Sequence, residues 1–73
     1  MAKSPKDIQR LQVIGKSLQK LRLKSGYSQE EVAERLNITS KSYGEYERGD
    51  ATLNILRLIQ IAENFECELD ELL

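Results

Sequence analysis

The chemistry open to this chain of 73 residues is limited first by the reactive side chains it lacks. It contains no histidine and a single cysteine, Cys67, so zinc sites of the Cys/His type and histidine-based acid–base catalysis are excluded. Carboxylates, lysines and tyrosines remain, and they form no catalytic constellation. We therefore expect no enzymatic activity, no metal, no cofactor and no small-molecule substrate.

Small polar and charged side chains are concentrated between Ser40 and Arg48, where they are suited to contacts with the edges of bases. At helical spacing, one side of this stretch carries Ser40, Lys41, Gly44 and Glu45. Lys41 could donate to the acceptors of guanine, and Glu45 could accept from the amino group of cytosine. The alternative for these two residues is an exposed pair that makes a weak i, i+4 salt bridge.

The formal net charge of −1 hides an asymmetry along the chain. Residues 1–24 carry seven basic groups and one acidic group, a balance of +6, whereas residues 25–73 carry four basic and eleven acidic groups, a balance of −7. Local potential, more than net charge, decides whether a surface attracts nucleic acid. The basic residues of the amino-terminal third either attract nucleic acid or form only the positive half of a dipolar, solvated surface.

The size and hydropathy of the chain indicate one small domain that is not inserted in a membrane. No apolar run reaches the roughly 20 residues that a membrane span requires, and the first residues lack the apolar stretch of a signal peptide. We therefore expect a cytoplasmic protein. A domain this small buries only a modest core, so a partner subunit would add stability.

Capping residues and apolar spacing predict the first two helices. The first begins at Ser4-Pro5 and ends at Ser25-Gly26, because serine caps, proline suits the first turn, and glycine adopts the left-handed conformation that ends helices. Its apolar stripe is Ile8, Leu11, Ile14, Leu18 and Leu21. The second helix opens at Ser28 with Glu31 three residues later, a capping box, and Asn37 ends it in a tight turn.

Three further helices complete an all-α fold. The third spans Ser40 to Arg48, between a Thr39 cap and Gly49. The fourth follows an Asn54 cap, and its spacing predicts an inner face of Ile55, Leu58, Ile59 and Ala62, closed by Phe65. A last short helix is expected from roughly Leu69 to Leu73. Two short helices joined by a tight turn, the second with a polar outer face, are typical of helix-turn-helix proteins.

From Ile14 to Leu73 the sequence resembles the Cro/phage-repressor (XRE-type) helix-turn-helix family. The matching stretches are Ile14-Gly15-Lys16, Leu21-Arg22, Gly26-Tyr27-Ser28-Gln29-Glu30-Glu31-Val32-Ala33, Tyr46-Glu47-Arg48-Gly49, Ile61-Ala62-Glu63 and Leu69-Asp70-Glu71-Leu72. The resemblance implies a compact five-helix, lambda-repressor-like domain over residues 14–73. Residues 1–13 would form an amino-terminal arm and an extension of the first helix.

The resemblance also implies which residues contact duplex DNA. The positions are Gln29, Ser40, Lys41, Ser42, Glu45 and Tyr46. Gln29 would bond a phosphate and brace the third helix, and a helix amino terminus favours phosphate there; an ordinary first-turn residue is the alternative. Ser40, Lys41 and Glu45 match the base-reading positions. Ser42 would contact phosphate or base, and the Tyr46 hydroxyl could reach a phosphate.

Other matched positions lie inside the domain. Tyr43 matches a core position, and Arg22 and Glu47 match a partly buried ion pair that ties the first helix to the third. Gly44 costs roughly 1 kcal/mol relative to alanine inside a helix. Either a close approach to DNA or space for one of the neighbouring tyrosines would explain this glycine.

The chain departs from the family pattern after the third helix. Basic residues are usual there, but this sequence has Asp50-Ala51-Thr52. The phosphate contacts would then come from other lysines, for which the candidates are Lys3, Lys6, Lys16, Lys20 and Lys24. Affinity for DNA should therefore depend only weakly on salt. Cys67 and Glu68 replace a valine and a serine cap, and Cys67 is expected to be a small buried hydrophobe.

Two functions are compatible with these observations. The first is a sequence-specific transcriptional regulator, a repressor that binds a two-fold operator as a homodimer, with half-sites about 34 Å apart and a dimer surface that includes the carboxy-terminal residues. Gln29 and Lys41 favour it. The alternative is a protein–protein interaction module on the same fold, with weak or no DNA binding. Glu45, Asp50 and the missing basic loop favour that alternative.

Overall fold

The computed structural model describes residues 3–73 and contains four α-helices, with no strand in that range. They are α1 (Pro5–Ser25), α2 (Gln29–Leu36), α3 (Ser40–Arg48) and α4 (Ile55–Asn64). The fifth predicted helix is a single turn of 3-10 helix, Leu69–Leu72, so the fold has four α-helices and not five. Met1 and Ala2, at the start of the predicted arm, lie outside the described residues.

Each α-helix begins at the side-chain cap that the sequence predicts. The caps are Ser4, Ser28, Thr39 and Asn54, and each accepts a hydrogen bond from the backbone N–H three residues later. Left-handed residues end the first three helices, at Gly26, Asn37 and Gly49. Because Asn37 ends α2 and Thr39 caps α3, only three residues separate the two helices.

The core consists of two adjoining clusters of buried side chains. Leu18 of α1, Ile61 of α4 and Leu72 of the 3-10 helix are fully buried in the first, and Val32 of α2 meets Tyr43 of α3 in the second. Leu36, Tyr46 and Phe65 pack against both clusters and join them. Full burial of an aliphatic side chain stabilises the fold by about 1.5–3 kcal/mol.

The face of α4 that enters the core differs from the predicted one. Leu58, Ile61 and Ala62 are buried, whereas Ile55 and Ile59 are 61% and 43% exposed, so the prediction was wrong for those two isoleucines. The helix carries two overlapping apolar stripes, and both satisfy the i, i+3, i+4, i+7 rule. Contacts with α2 and the 3-10 helix select the second stripe, which is Leu58, Ile61, Ala62 and Phe65. Ile55 and Ile59, which belong only to the first stripe, are left at the surface.

Helix α1 extends beyond the core at its amino-terminal end. Leu11 is half-buried, whereas Ile8 is 42% exposed, so the apolar stripe covers the domain only from Leu11 onward. The helix continues without a break across residue 13, and the division into an arm and a domain stays a prediction. Across residues 3–73, no helix combines the length and the apolar character that crossing a bilayer requires.

Helices α1 and α3 meet at Gly15 with no room for a side chain. A Cβ atom built there would clash with the carbonyl oxygen of Glu47 and would lie 2.7 Å from that of Tyr46. These obstacles are backbone atoms, which cannot rotate away. The glycine therefore sets how closely α1 approaches the end of α3.

Replacement of the two glycines inside helices should have opposite effects. We expect Gly15→Ala to lower the free energy of unfolding by about 1–3 kcal/mol, because the new methyl group overpacks against backbone. Gly44→Ala should be neutral or stabilising by up to about 1 kcal/mol, because a Cβ atom there meets only the flexible ends of Arg48 and Gln29. Thermal unfolding followed by circular dichroism measures both. Equal melting temperatures for the two variants would contradict the close contact at Gly15.

Candidate nucleic-acid interface

The outer side of α3 presents polar side chains to solvent. Ser40 and Lys41 are exposed, and Ser42 and Glu45 are half-buried. The hydroxyl of Ser42 accepts a hydrogen bond from the Thr39 hydroxyl at 3.0 Å, so part of its bonding capacity is used at the cap of its own helix. No ion pair joins Lys41 to Glu45 in the part of the chain that the structure describes, and both remain available to a ligand.

A groove runs between the amino terminus of α2 and the outer side of α3. Its lining residues are Arg22, Ser28, Gln29, Glu30, Ser40, Lys41, Gly44 and Arg48. Three of these side chains are cationic and one is a carboxylate. The first backbone N–H groups of α2 lack partners within the helix, and the helix dipole makes this end positive. A phosphate group fits the chemistry of this groove.

The Glu47 carboxylate ties three helices together beneath the groove. Arg22 of α1 donates from Nε to Oε2 of Glu47 at 2.6 Å and from Nη2 to Oε1 at 3.2 Å. Gln29, the first residue of α2, donates from Nε2 to the same Oε1 at 3.0 Å. Arg22 also donates from Nη1 to the carbonyl oxygen of Tyr27 at 3.0 Å. The side chains of Arg22 and Glu47 are only 11% and 4% exposed.

The surroundings of this network keep Glu47 ionised and Tyr43 neutral. Burial by itself would raise the pKa of Glu47, but hydrogen bonds from Arg22 and Gln29 hold that pKa below its ordinary value. The same carboxylate raises the pKa of Arg22. Burial, together with the neighbouring Glu47, raises the pKa of the Tyr43 phenol well above its usual range. Among the described residues, the Tyr43 hydroxyl has no hydrogen-bond partner.

Gln29 therefore braces α3 through an amide that keeps spare bonding capacity. An amide nitrogen carries two N–H donors, and only one of them is used on Glu47. The amide oxygen lies 3.5 Å from the position that a Cβ atom would take on Gly44. A Cβ atom on Gly44 would meet Gln29 and the guanidinium of Arg48 and not Tyr46, so space for Tyr46 does not account for this glycine.

The loop after α3 offers little free positive charge. Asp50 accepts from Nε of Arg48 at 3.0 Å, in a pair whose side chains are both 58% exposed. Such an exposed pair contributes at most about 1 kcal/mol and exchanges easily with other partners. On α1, Lys16, Lys20 and Lys24 are exposed and form no ion pair with any residue between 3 and 73.

Two arginines line the groove although the sequence did not assign them to the interface. Arg22 was expected only to form the ion pair with Glu47, and Arg48 only to offset charge on α3. The i, i+4 spacing of Gly44 and Arg48 is the signal that could have identified Arg48, because residues four apart lie on one helix face and a glycine leaves that face open. Tyr46, in contrast, packs between the two core clusters and is half-buried.

Comparison with known proteins places this geometry in a family. A helix-turn-helix family model matches residues 18–72. The chain belongs to this family, the XRE-type helix-turn-helix proteins. Its members are DNA-binding transcriptional regulators, and the predicted resemblance is confirmed.

Relatives of the chain carry the domain in longer proteins. It is 38% identical over 61 residues to an HTH-type transcriptional regulatory protein of Thermococcus kodakarensis, a match to 84% of this chain and 19% of the relative. It is 36% identical over 61 residues to the SPbeta prophage-derived HTH-type regulator YonR of Bacillus subtilis, a match to 84% of this chain and 56% of YonR. The chain thus spans about a fifth of the first relative and about half of the second.

Solved structures share the whole arrangement of helices. The restriction-modification controller protein C.AhdI of Aeromonas hydrophila superposes with a TM-score of 0.81 at 28% identity, over 86% of this chain and 96% of that protein. The BldD DNA-binding domain of S. venezulae superposes with a TM-score of 0.80 at 28% identity, over 89% of this chain and 97% of that domain.

Removal of the Glu47 carboxylate should destabilise the domain strongly. We expect Glu47→Ala to cost about 3–5 kcal/mol, because the variant leaves Arg22 buried without its charged partner. At roughly 4–8 °C per kcal/mol for a domain of this size, the melting temperature should fall by more than about 10 °C. Glu34→Ala, which removes an exposed carboxylate from α2, is the matched control and should change little. A fall in melting temperature of only a degree or so for Glu47→Ala would show that the ion pair with Arg22 does not stabilise the fold.

Proposed function

We propose that the protein is a sequence-specific transcriptional regulator that inserts α3 into the major groove of a two-fold operator. The observation that carries this proposal is the groove between α2 and α3, which combines the amino terminus of α2 with Lys41, a side chain without an ion pair among residues 3–73, and lies directly beside the polar outer side of α3. A phosphate held in that groove would fix the depth and orientation of α3 on the duplex, since phosphate contacts position a protein and base contacts specify the sequence. Membership of a family of DNA-binding regulators supports it.

The six predicted DNA contacts divide into two kinds. Ser40, Lys41 and Glu45 are proposed to read base edges, with Lys41 donating to guanine and Glu45 accepting from cytosine. The others, Gln29, Ser42 and Tyr46, are proposed to contact the sugar–phosphate backbone. Gln29 would use its second amide N–H, and it would thus link the bound phosphate directly to the buried carboxylate of Glu47.

The second half of the proposal is that the regulator is a homodimer. The flank of α4 that the core leaves uncovered carries three aliphatic side chains, Ile55, Leu56 and Ile59, which are 61%, 62% and 43% exposed. Aliphatic side chains that cluster at the surface often mark a site of protein–protein interaction, whereas single exposed ones are common. Pairing of this flank about a two-fold axis would give a symmetric dimer that carries two α3 helices. Occupation of an operator by such a dimer excludes other proteins from that DNA, which is the action of a repressor.

Selection from a random library of duplex DNA tests this function directly. The purified protein should enrich a two-fold motif with half-sites separated by about one helical turn, roughly 34 Å. Lys41→Ala should weaken binding to the selected site by about 1–3 kcal/mol and relax the preference at one position of each half-site. Lys20→Ala, which removes an equal charge from α1, should leave the preferred sequence unchanged.

The outcomes of the selection separate the two candidate functions. No enrichment at low salt by folded protein would contradict the reading of an operator. It would support instead the alternative function, a protein–protein interaction module. The ion pair of Arg48 with Asp50 and the acidic Glu45 favour that alternative. A plot of log affinity against log salt with a slope of eight or more would show that a larger basic surface takes part.

The dimer is tested by a charge placed on the exposed flank of α4. The protein should sediment as a dimer at micromolar concentration, and Ile59→Lys should sediment as a folded monomer whose melting temperature falls only by the stabilisation that the partner subunit supplies, because this side chain does not fill the core. Gln60→Lys, the same charge at the next exposed position of α4, is the control and should remain dimeric. An Ile59→Lys variant that stays dimeric would exclude this flank from the interface.

A further inference from the structure

A second groove lies between the amino-terminal half of α1 and Leu73, which follows the 3-10 helix. It is lined by Lys6, Gln9, Arg10, Val13, Ile14 and Leu73, and its volume is about 610 Å³. None of these residues belongs to the DNA interface proposed above on α2 and α3. Only Lys6 is among the candidate lysines for phosphate contacts, so DNA recognition does not account for the aliphatic residues of this groove.

The floor of this groove is aliphatic. Val13 and Leu73 are 54% and 64% exposed, and Ile14 lies half-buried between the groove and the core. Exposed aliphatic side chains that meet from two separate elements of a fold form a site that another apolar surface can cover. A partner would gain roughly 25 cal/mol for each Å² of apolar surface that it removes from water here.

The rim of the groove is basic. Lys6 forms no ion pair within residues 3–73, and Arg10 has one partner, Asp7, at 2.9 Å. The side chains of Arg10 and Asp7 are 69% and 56% exposed, so this pair is weak and the guanidinium can exchange it for another carboxylate. No carboxylate side chain lines the groove itself.

The groove also faces away from α3. Gly15 marks the side of α1 that contacts α3. At about 100° per residue, Val13 lies roughly 160° around the helix from Gly15, and Lys6 lies roughly 180° from it. A ligand in the groove would leave the outer side of α3 free, so both surfaces could be occupied at once.

We propose that this groove docks an acidic amphipathic helix of a partner protein. Aliphatic side chains of the partner cover Val13, Ile14 and Leu73, and carboxylates along the edge of its apolar stripe pair with Lys6 and Arg10. The aliphatic floor argues against nucleic acid, whose backbone supplies negative charge without aliphatic groups. A second copy of the chain is disfavoured, because a two-fold contact through the groove would gather Lys6 and Arg10 of both copies, four cations, in one interface.

The probe for this proposal is a synthetic helical peptide of about 18 residues, or five turns, with leucine along one face and glutamate elsewhere. A scrambled peptide of the same composition controls for net charge. Titration of the isotope-labelled full chain by NMR should show saturable binding of the helical peptide, with shifts at Gln9, Val13 and Leu73. The scrambled peptide should bind at least about tenfold more weakly.

Matched variants locate the site on α1. Val13→Gln should weaken binding of the peptide at least about tenfold, whereas Leu23→Gln should not change it. Both replace an exposed aliphatic residue of the same helix, 54% exposed for Val13 and 61% for Leu23, but only Val13 lines the groove. Circular dichroism should show that both variants keep the melting temperature of the parent, since neither side chain fills the core.

Three results would overturn the proposal. The first is equal binding of the helical and scrambled peptides, or no binding by folded protein at low salt. The second is loss of affinity for duplex DNA in Val13→Gln, which would assign the groove to nucleic acid. The third is a parent dimer that Val13→Gln converts to a monomer, which would assign the groove to a second copy.

Discussion

One buried carboxylate connects the helices α1, α2 and α3. Glu47 lies at the end of α3 and accepts hydrogen bonds from Arg22 of α1 and Gln29 of α2, so a single ionised group fixes three helices. The arrangement depends on the close approach of α1 at Gly15, which brings α1 against the backbone of Glu47. A buried charge is tolerated because both of its oxygens accept hydrogen bonds from Arg22 or Gln29, and loss of one partner leaves the other uncompensated.

The same contacts prepare the surface above them. Arg22 and Gln29 reach inward to Glu47 and also line the groove between α2 and α3. Two positive features of that groove, the Arg22 guanidinium and the amino terminus of α2, are thus fixed before any ligand arrives. A ligand that binds pre-positioned groups does not have to order them, so less of the binding free energy is lost. Stability and the phosphate contact proposed for this groove would consequently depend on the same few residues.

Charge is distributed so that an acidic protein can still attract anions locally. The basic residues are concentrated in α1 and in the groove beside α3, whereas the carboxylates predominate from α2 to the carboxy terminus. Asp50 is paired with Arg48 and Glu47 with Arg22, so neither of these carboxylates opposes an anion with a full free charge. The two outward sides of the molecule differ in kind. The α3 side is polar and cationic, and the exposed side of α1 combines lysines with aliphatic residues.

The sequence alone determined where the four α-helices begin and where the first three end, because serine, threonine and asparagine caps and left-handed Gly26, Asn37 and Gly49 act through bonds to their immediate neighbours. The family resemblance supplied the pairing of Arg22 with Glu47. Tertiary structure alone decided which stripe of α4 enters the core, since both stripes have the same period and only contacts with other helices distinguish them. It also decided that Gln29 bonds Glu47 and that Val13 and Leu73 line one groove. Such contacts join residues far apart in the chain, and local propensities carry no information about them.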